Sequence, residues 1–210
     1  MFLDHWSLIC SRHKEETLTF LTVKTAAVRC GAKPAELLRV PLCGRAGMAG
    51  CDAVRNVFAR LGLPYRILSE DAGGALALFY HPTRLNEALS DSRASAFLTR
   101  RGWPTSGGVG PMLDELARRW RGGPAHEVGL FLGYPPKDVC GFCHAAPEVT
   151  QPGDRWRVFG AEGHSRRLMR RHRRLELWAA GVCLTHATPT ERFRRIAALS
   201  ISRNNTRKGA

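Results

Sequence analysis

The segment Cys140-Gly141-Phe142-Cys143-His144 carries the residues of this chain best suited to covalent or metal chemistry. Two thiols separated by two residues and followed by histidine match the motif that attaches c-type haem, where the imidazole ligates iron. On a helix, positions i, i+3 and i+4 share one face, so Cys140, Cys143 and His144 can act together. Attachment of this kind follows export, however, and the N-terminal residues contain no apolar stretch of the kind found in signal peptides.

Two other chemistries use the same thiols. Cys183 and His186 form a Cys-x2-His pair that would complete a tetrahedral zinc site with the CxxC pair. A dithiol redox centre is a further hypothesis, because a strand and a helix precede the CxxC pair and a helix N-terminus lowers thiol pKa, although Cys140 falls several residues into the predicted helix rather than at its start. The structural alternative, which we favour, is that Val139, Phe142 and Cys143 form one packed helical stripe, with cysteine as a small buried apolar residue.

An arginine-dense helix is the second feature with chemical potential. Residues 1–154 contain 18 Lys and Arg against 15 Asp and Glu, whereas residues 155–210 contain 14 against 3. A helix is predicted from about His164 to Ala180. Its predicted packing face consists of Leu168, His172, Leu175 and Trp178.

The guanidinium groups of this helix could neutralise the phosphates of a nucleic acid, in a strongly salt-dependent way. The candidate nucleic-acid-binding residues are Arg166, Arg167, Arg170, Arg171, Arg173 and Arg174. The alternative is a solvated face whose composition reflects a coding bias toward arginine. No recognised nucleic-acid-binding motif accompanies the charge, which favours that alternative.

Gly133-Tyr134-Pro135 is the third candidate site, because it ends a predicted strand and precedes a predicted helix. Ligands often lie at such a junction, so these residues are predicted to bind a ligand, with Lys33 as a second candidate. His126 beside Glu127 could supply an acid and a base, although neighbours on a strand point to opposite faces. No nucleophile, base and orienting acid can be assembled, so we expect a binding protein rather than an enzyme.

The elements that must position these residues indicate a single α+β domain. Residues 65–80 are predicted as a hairpin, and two further strands are predicted near residues 127–132 and 155–159. Six to eight helices are predicted around these four strands. They include helices at residues 15–29, 34–39, 52–61, 82–89, 92–101, 111–121 and 137–146.

The domain is predicted to span residues 15–182, between an N-terminal extension at 1–14 and a basic, partly disordered extension at 183–210. No stretch approaches the 18 apolar residues of a membrane-spanning helix. Together with the missing signal sequence, this leads us to expect a cytoplasmic protein that does not bind membranes.

The block Pro124–Phe142, PAHEVGLFLGYPPKDVCGF, resembles the hallmark of the domain-of-unknown-function family numbered 3793, roughly PHEIGxFLGYPxxDVxGF. Gly31–Leu37 and Gly102-Trp103-Pro104 follow the order of that family, and the resemblance spans about residues 17–180. It implies a cytoplasmic bacterial protein, and it brings no established activity, cofactor or catalytic residue. It also favours a role in iron or redox physiology, with a redox or iron-related protein as partner. The CxxCH segment and the arginine-dense helix depart from the family pattern.

Overall fold

The computed structural model describes residues 14–40, 55–71 and 74–185, with the single positions 191, 195 and 196. Within these ranges the chain folds into an α+β domain, as predicted, with helices on both faces of one antiparallel sheet. No helix in the described ranges is long and apolar enough to cross a membrane. Most of the two predicted terminal extensions, including His186, lies outside the described residues.

The sheet consists of β1 (Ala35–Val40), β2 (Tyr65–Asp71) and β3 (Gly74–Tyr80) in the spatial order β1-β3-β2. β2 and β3 pair antiparallel on either side of residues 72–73, which confirms the predicted hairpin. β3 lies at the centre and is almost continuously buried, because helices cover both of its faces. Its side chains alternate between two apolar clusters, with Leu78 in one and Phe79 in the other.

The prediction of a helix at residues 34–39 was wrong, because this segment forms β1. It pairs along the whole of β3, from Ala35 opposite Tyr80 to Val40 opposite Ala75. The six residues of β1 are too few to hold a helix by themselves, and pairing with the free edge of β3 satisfies their backbone groups instead.

Two predicted strands are absent from the described chain. Residues 128–131 form a helical turn, because a short apolar run bounded by turns suits a buried helix as well as a strand. Residues 155–159 contribute a single isolated bridge, between Phe159 and Glu148, rather than a strand.

The predicted helices are otherwise present with shifted ends, and a threonine at position 25 divides the first of them. The Thr25 hydroxyl donates 2.7 Å to the carbonyl of Leu21, which also accepts the Thr25 backbone N–H at 2.8 Å. The helices are α1 (Lys14–Lys24), α2 (Ala26–Arg29), α3 (55–61), α4 (Pro82–Ser90), α5 (Ser92–Arg100), α6 (Val109–Trp120), α7 (Val128–Phe131), α8 (Pro136–Cys143) and α9 (Gly163–Thr185).

The core is divided between the two faces of the sheet. One apolar cluster packs α4 to α8 against β3, and another packs α1 and α3 against the opposite face. α9 lies against α1 and α2 through a third cluster that includes Ala26, Ala179 and Cys183. The buried face of α9 is rotated from the predicted one, so that Leu168 and Trp178 are only half buried. Its buried residues are Ser165, Met169, His172, Leu175, Ala179, Val182 and Cys183.

The carboxylate of Asp138, in the first turn of α8, is the polar centre of the C-terminal half. It is 2% exposed and accepts hydrogen bonds from the Phe159 backbone N–H (3.0 Å), the Trp156 indole (3.0 Å) and the Ser165 hydroxyl (2.6 Å). The Lys137 ammonium lies 2.5 Å from the same carboxylate. Burial by itself raises the pKa of Asp138, but these donors outweigh it and lower the pKa below its ordinary value. The carboxylate therefore fixes residues 156–159 and the start of α9 on α8.

The absence of a side chain at Gly141 allows this arrangement. A Cβ atom at this position of α8 would lie 2.5 Å from Cγ of Phe159. Only glycine lets the helix approach the Phe159 ring so closely. The backbone N–H of the same residue, Phe159, is the one that donates to Asp138.

We expect Gly141→Ala to lower the free energy of unfolding by about 1–3 kcal/mol, because the new methyl group overpacks the contact with Phe159. Gly181 in α9 provides a matched control, since no heavy atom lies within 4 Å of its Cβ position. Gly181→Ala should raise the free energy of unfolding by about 0.5–1 kcal/mol through helix propensity. Urea unfolding measures both changes, and equal effects at the two positions would contradict the packing described for α8.

Candidate ligand-binding site

A cavity of about 830 Å³ opens where four parts of the chain meet. Its walls are residues 29–34 before β1, one side of α4 along its whole length, residues 133–136 at the start of α8 and the first half of α9. Pockets for small molecules commonly enclose about 300–1,000 Å³, so this cavity has the size of a metabolite site.

A glycine contact closes one wall of the cavity. Gly133 has φ of +77°, and a Cβ atom there would lie 2.5 Å from Cδ of Pro34. Any other residue would push the turn before α8 away from the loop before β1. Gly133 thus brings Tyr134 and Pro135 to the same wall as Lys33.

Lys33 and His172 lie next to each other in the interior of the site. The Lys33 side chain is 7% exposed, and its ammonium is 2.7 Å from the carboxylate of Glu36. His172 is 5% exposed. Burial is the main cause that lowers the pKa of His172 to about 4, and the positive charge of Lys33 lowers it further. A hydrogen bond with the backbone of Ala32 raises the pKa and offsets part of this effect. His172 is therefore neutral at physiological pH, while Lys33 brings a cation to the cavity.

Tyr134 connects the cavity to the Asp138 centre. Its ring stacks on the Trp156 indole with centroids 4.3 Å apart and an interplanar angle of 16°. The Trp156 indole donates to Asp138, so the same carboxylate sets the position of the stacked pair. Burial raises the pKa of Tyr134 to about 12, which keeps its hydroxyl protonated and able to donate a hydrogen bond.

Positive charge predominates around the cavity. Its cationic lining residues are Arg29, Lys33, Arg84 and Arg171, against the acidic Glu87 and Asp91; Arg84 is paired with Glu87 at 2.6 Å and Lys33 with Glu36 at 2.7 Å. α8 and α9 also begin here, so the positive ends of their dipoles lie at the cavity, whereas α4 lines it along its whole length, from its N-cap His81 to its C-cap Asp91. The site can therefore stabilise an anion better than a neutral or cationic molecule.

The structure brings most of the predicted ligand-binding residues together. Lys33, Gly133, Tyr134 and Pro135, which are about a hundred positions apart in sequence, line this one cavity. His126 does not: it is exposed, and its ring lies 4.9 Å from that of Phe142.

Glu127, the neighbour of His126, is a buried residue that forms an ion pair within the fold. It is 5% exposed, and its carboxylate accepts a 2.6 Å hydrogen bond from Nε of Arg101. Burial by itself raises the pKa of Glu127. The opposing effects, of which the hydrogen bond from Arg101 is the largest, outweigh burial, so the pKa lies below its ordinary value. The carboxylate thus ties α7 to the end of α5.

The residues of the CxxCH segment lie in a different part of the fold from Cys183, the other predicted metal ligand within the described residues. Cys140 and Cys143 are half buried on α8, and burial raises the pKa of both thiols, which disfavours the thiolate. The His144 ring nitrogen Nδ1 lies 2.9 Å from the Cys140 carbonyl. Cys183 belongs to a different apolar cluster, beside Ala179. Within the described residues, no three His, Cys, Asp or Glu side chains are grouped as metal ligands.

The candidate nucleic-acid-binding arginines of α9 are distributed over different sides of that helix. Arg171 lines the large cavity. Arg166, Arg170 and Arg173 line a smaller cleft, whereas Arg167 and Arg174 are exposed and belong to neither.

The lining residues that sequence reasoning missed include Arg29, His81 and Arg84, which contribute charge or polarity. The His81-Pro82 pair carries a helix-start signal, because His81 caps α4 and Pro82 occupies its first turn. That signal marks where α4 begins, but only the antiparallel pairing of β1 with β3 brings the start of α4 beside the loop at 29–34.

Comparisons with known proteins identify a family and nothing closer. A family model described as "Protein of unknown function (DUF3793)" matches residues 21–189. No curated protein and no solved structure matches the chain.

The titration of His172 should be visible in the stability of the protein. The unfolded chain binds a proton at this residue near pH 6.5, whereas the folded protein does so only near pH 4. The contribution is therefore present above pH 6.5 and is lost as the pH falls toward 4, because protonation then favours the unfolded state. Between pH 7 and pH 5 the wild type should lose about 2 kcal/mol more than His172→Phe. Urea unfolding at both pH values tests this, and parallel losses would contradict a buried neutral imidazole.

Proposed function

The chain belongs to the DUF3793 family of proteins of unknown function, and we propose that it binds a small polyvalent anion in the cavity beside Lys33. This proposal is supported most directly by the convergence of cationic side chains and the starts of α8 and α9 on a single open cavity. Backbone dipoles and guanidinium or ammonium groups both favour negative charge at such a position.

The burial of the cations supports an anionic ligand. Burial lowers the pKa of Arg29 to about 10, so the charged guanidinium is held at a cost that an anion nearby would offset. Lys33 is also buried, with Glu36 as its partner. Lysine is seldom buried to this extent without a compensating charge; Glu36 supplies one to Lys33, and an anionic ligand would add to that compensation.

The dimensions of the cavity favour an organic anion over an inorganic one. A volume of about 830 Å³ exceeds what one tetrahedral oxyanion fills. Lys33 and Arg171 come from different walls, so a ligand with two separated anionic groups could contact both. His81 and Thr83 add neutral polar groups that suit hydroxyl or carbonyl oxygens. Di- and tricarboxylates and phosphorylated metabolites have this chemistry.

The setting we propose is the bacterial cytoplasm, in iron or redox physiology. Polyvalent carboxylates chelate iron, so an anion-binding protein in that setting could bind such a chelator, with or without its metal. Binding requires no catalytic group of the protein, which agrees with a ligand-binding rather than an enzymatic role.

Calorimetric titration with citrate and with adenosine monophosphate, at constant ionic strength, tests the proposal. We expect saturable binding of at least one of these anions by the wild type. Arg171→Gln should weaken it about tenfold, since a hydrogen bond to a charged group contributes about 1.5–3 kcal/mol. Lys33→Gln should weaken it similarly.

Arg174→Gln is the matched control, because it removes one charge from the same helix at an exposed position outside the cavity. Its affinity should stay within about twofold of the wild type, as expected for a charge screened by salt. Absence of saturable binding, or equal losses in Arg171→Gln and Arg174→Gln, would rule out the cavity as an anion site. Because Arg171 is exposed, its variant remains informative even if Lys33→Gln does not fold.

A further inference from the structure

A second cleft, of about 120 Å³, lies beside α9 and shares no lining residue with the large cavity. We call it the arginine cleft. One wall is the turn at Gly153-Asp154-Arg155, and the other is the part of α9 that carries Met169. The cleft is also lined by Arg166, Arg170 and Arg173.

Two hydrogen-bond donors in the arginine cleft are poorly satisfied. The backbone N–H of Arg155 donates only to the thioether sulfur of Met169, at 3.4 Å, and sulfur is a weak acceptor. Nε of Arg166 is buried without a hydrogen-bond acceptor; it forms an ion pair with Asp154, whose carboxylate oxygen is 3.6 Å away. Because donors away from water nearly always have a partner, the Arg155 N–H indicates an absent acceptor in this cleft.

The charge of the arginine cleft is also incompletely balanced. Arg155 donates to Glu176 at 2.7 Å, and Arg166 pairs with Glu162. Arg170 and Arg173 form no ion pair within the described part of the chain. Asp154 is the single carboxylate among the lining residues. An acceptor that fills the cleft should therefore be an anion.

We propose that the arginine cleft binds a phosphate group. A tetrahedral oxyanion has enough acceptor oxygens for the Arg155 N–H and the guanidinium groups of Arg170 and Arg173 together. The eight residues of α9 from Arg166 to Arg173 span about 10 Å along the helix axis. This length is more than one phosphate needs and allows contact with successive phosphates, so the backbone of a nucleic-acid strand is the favoured source, with a free phosphate as the other.

Two probes distinguish these sources in the full chain: inorganic phosphate, followed by calorimetry, and a short fluorescent uridine oligonucleotide, followed by anisotropy across a salt series. Arg170→Gln/Arg173→Gln should weaken oligonucleotide binding about tenfold or more. It should also reduce the slope of log K against log salt by about 1.4, the value for loss of two phosphate contacts. Both residues are exposed, so the variant should fold.

Arg167→Gln/Arg174→Gln removes the same charge from exposed positions of the same helix outside the cleft, and its affinity should stay within about threefold of the wild type. Binding of inorganic phosphate alone, lost in the cleft variant only, supports the phosphate site and assigns it to a free phosphate. The proposal is overturned if neither probe binds, or if the two double variants lose affinity equally.

Discussion

The buried carboxylate of Asp138 is the interaction on which the C-terminal half of the domain depends. It is placed by one turn of α8, and it fixes three groups that follow later in the chain: the backbone at Phe159, the Trp156 indole and the Ser165 hydroxyl. Removing a buried carboxylate that holds several donors leaves each of them unsatisfied, which is why a single position can organise so much structure. The start of α9, and so the whole helix, takes its place from this contact.

The contacts of Asp138 also position two walls of the cavity. The Trp156 indole holds the ring of Tyr134, and α9 brings Arg171 and His172 to the opposite wall. The remaining wall depends on a glycine, because Gly133 lets its turn contact Pro34. The segment PAHEVGLFLGYPPKDVCGF therefore contains the residues that build one side of the cavity, rather than a set of reactive groups. Its glycines and its Asp138 are explained by close packing and by buried polar contacts.

Local sequence signals predicted the parts of this fold that local interactions stabilise. Proline starts, glycine ends and apolar periodicity predicted the helices, and the turn at residues 71–74 predicted the hairpin. β1 was mispredicted because its strand conformation comes from pairing with β3, some forty residues later. Gly133-Tyr134-Pro135 was chosen because it follows a predicted strand. The three residues do line the cavity, but a helical turn rather than a strand precedes them. Arg84 and His81 could not be anticipated, because their place beside Lys33 arises only from the tertiary fold.

The central claim is that the cavity beside Lys33 is an anion site, and anomalous diffraction tests it most directly. Crystals equilibrated with dilute selenate, a dianion that scatters anomalously, would locate bound anions without assumptions about the natural ligand. The account predicts an anomalous peak inside the cavity, within hydrogen-bond distance of Lys33 or Arg171, whose occupancy saturates as selenate is raised. Peaks confined to the outer surface of the protein, with the cavity occupied by water at every concentration, would contradict it.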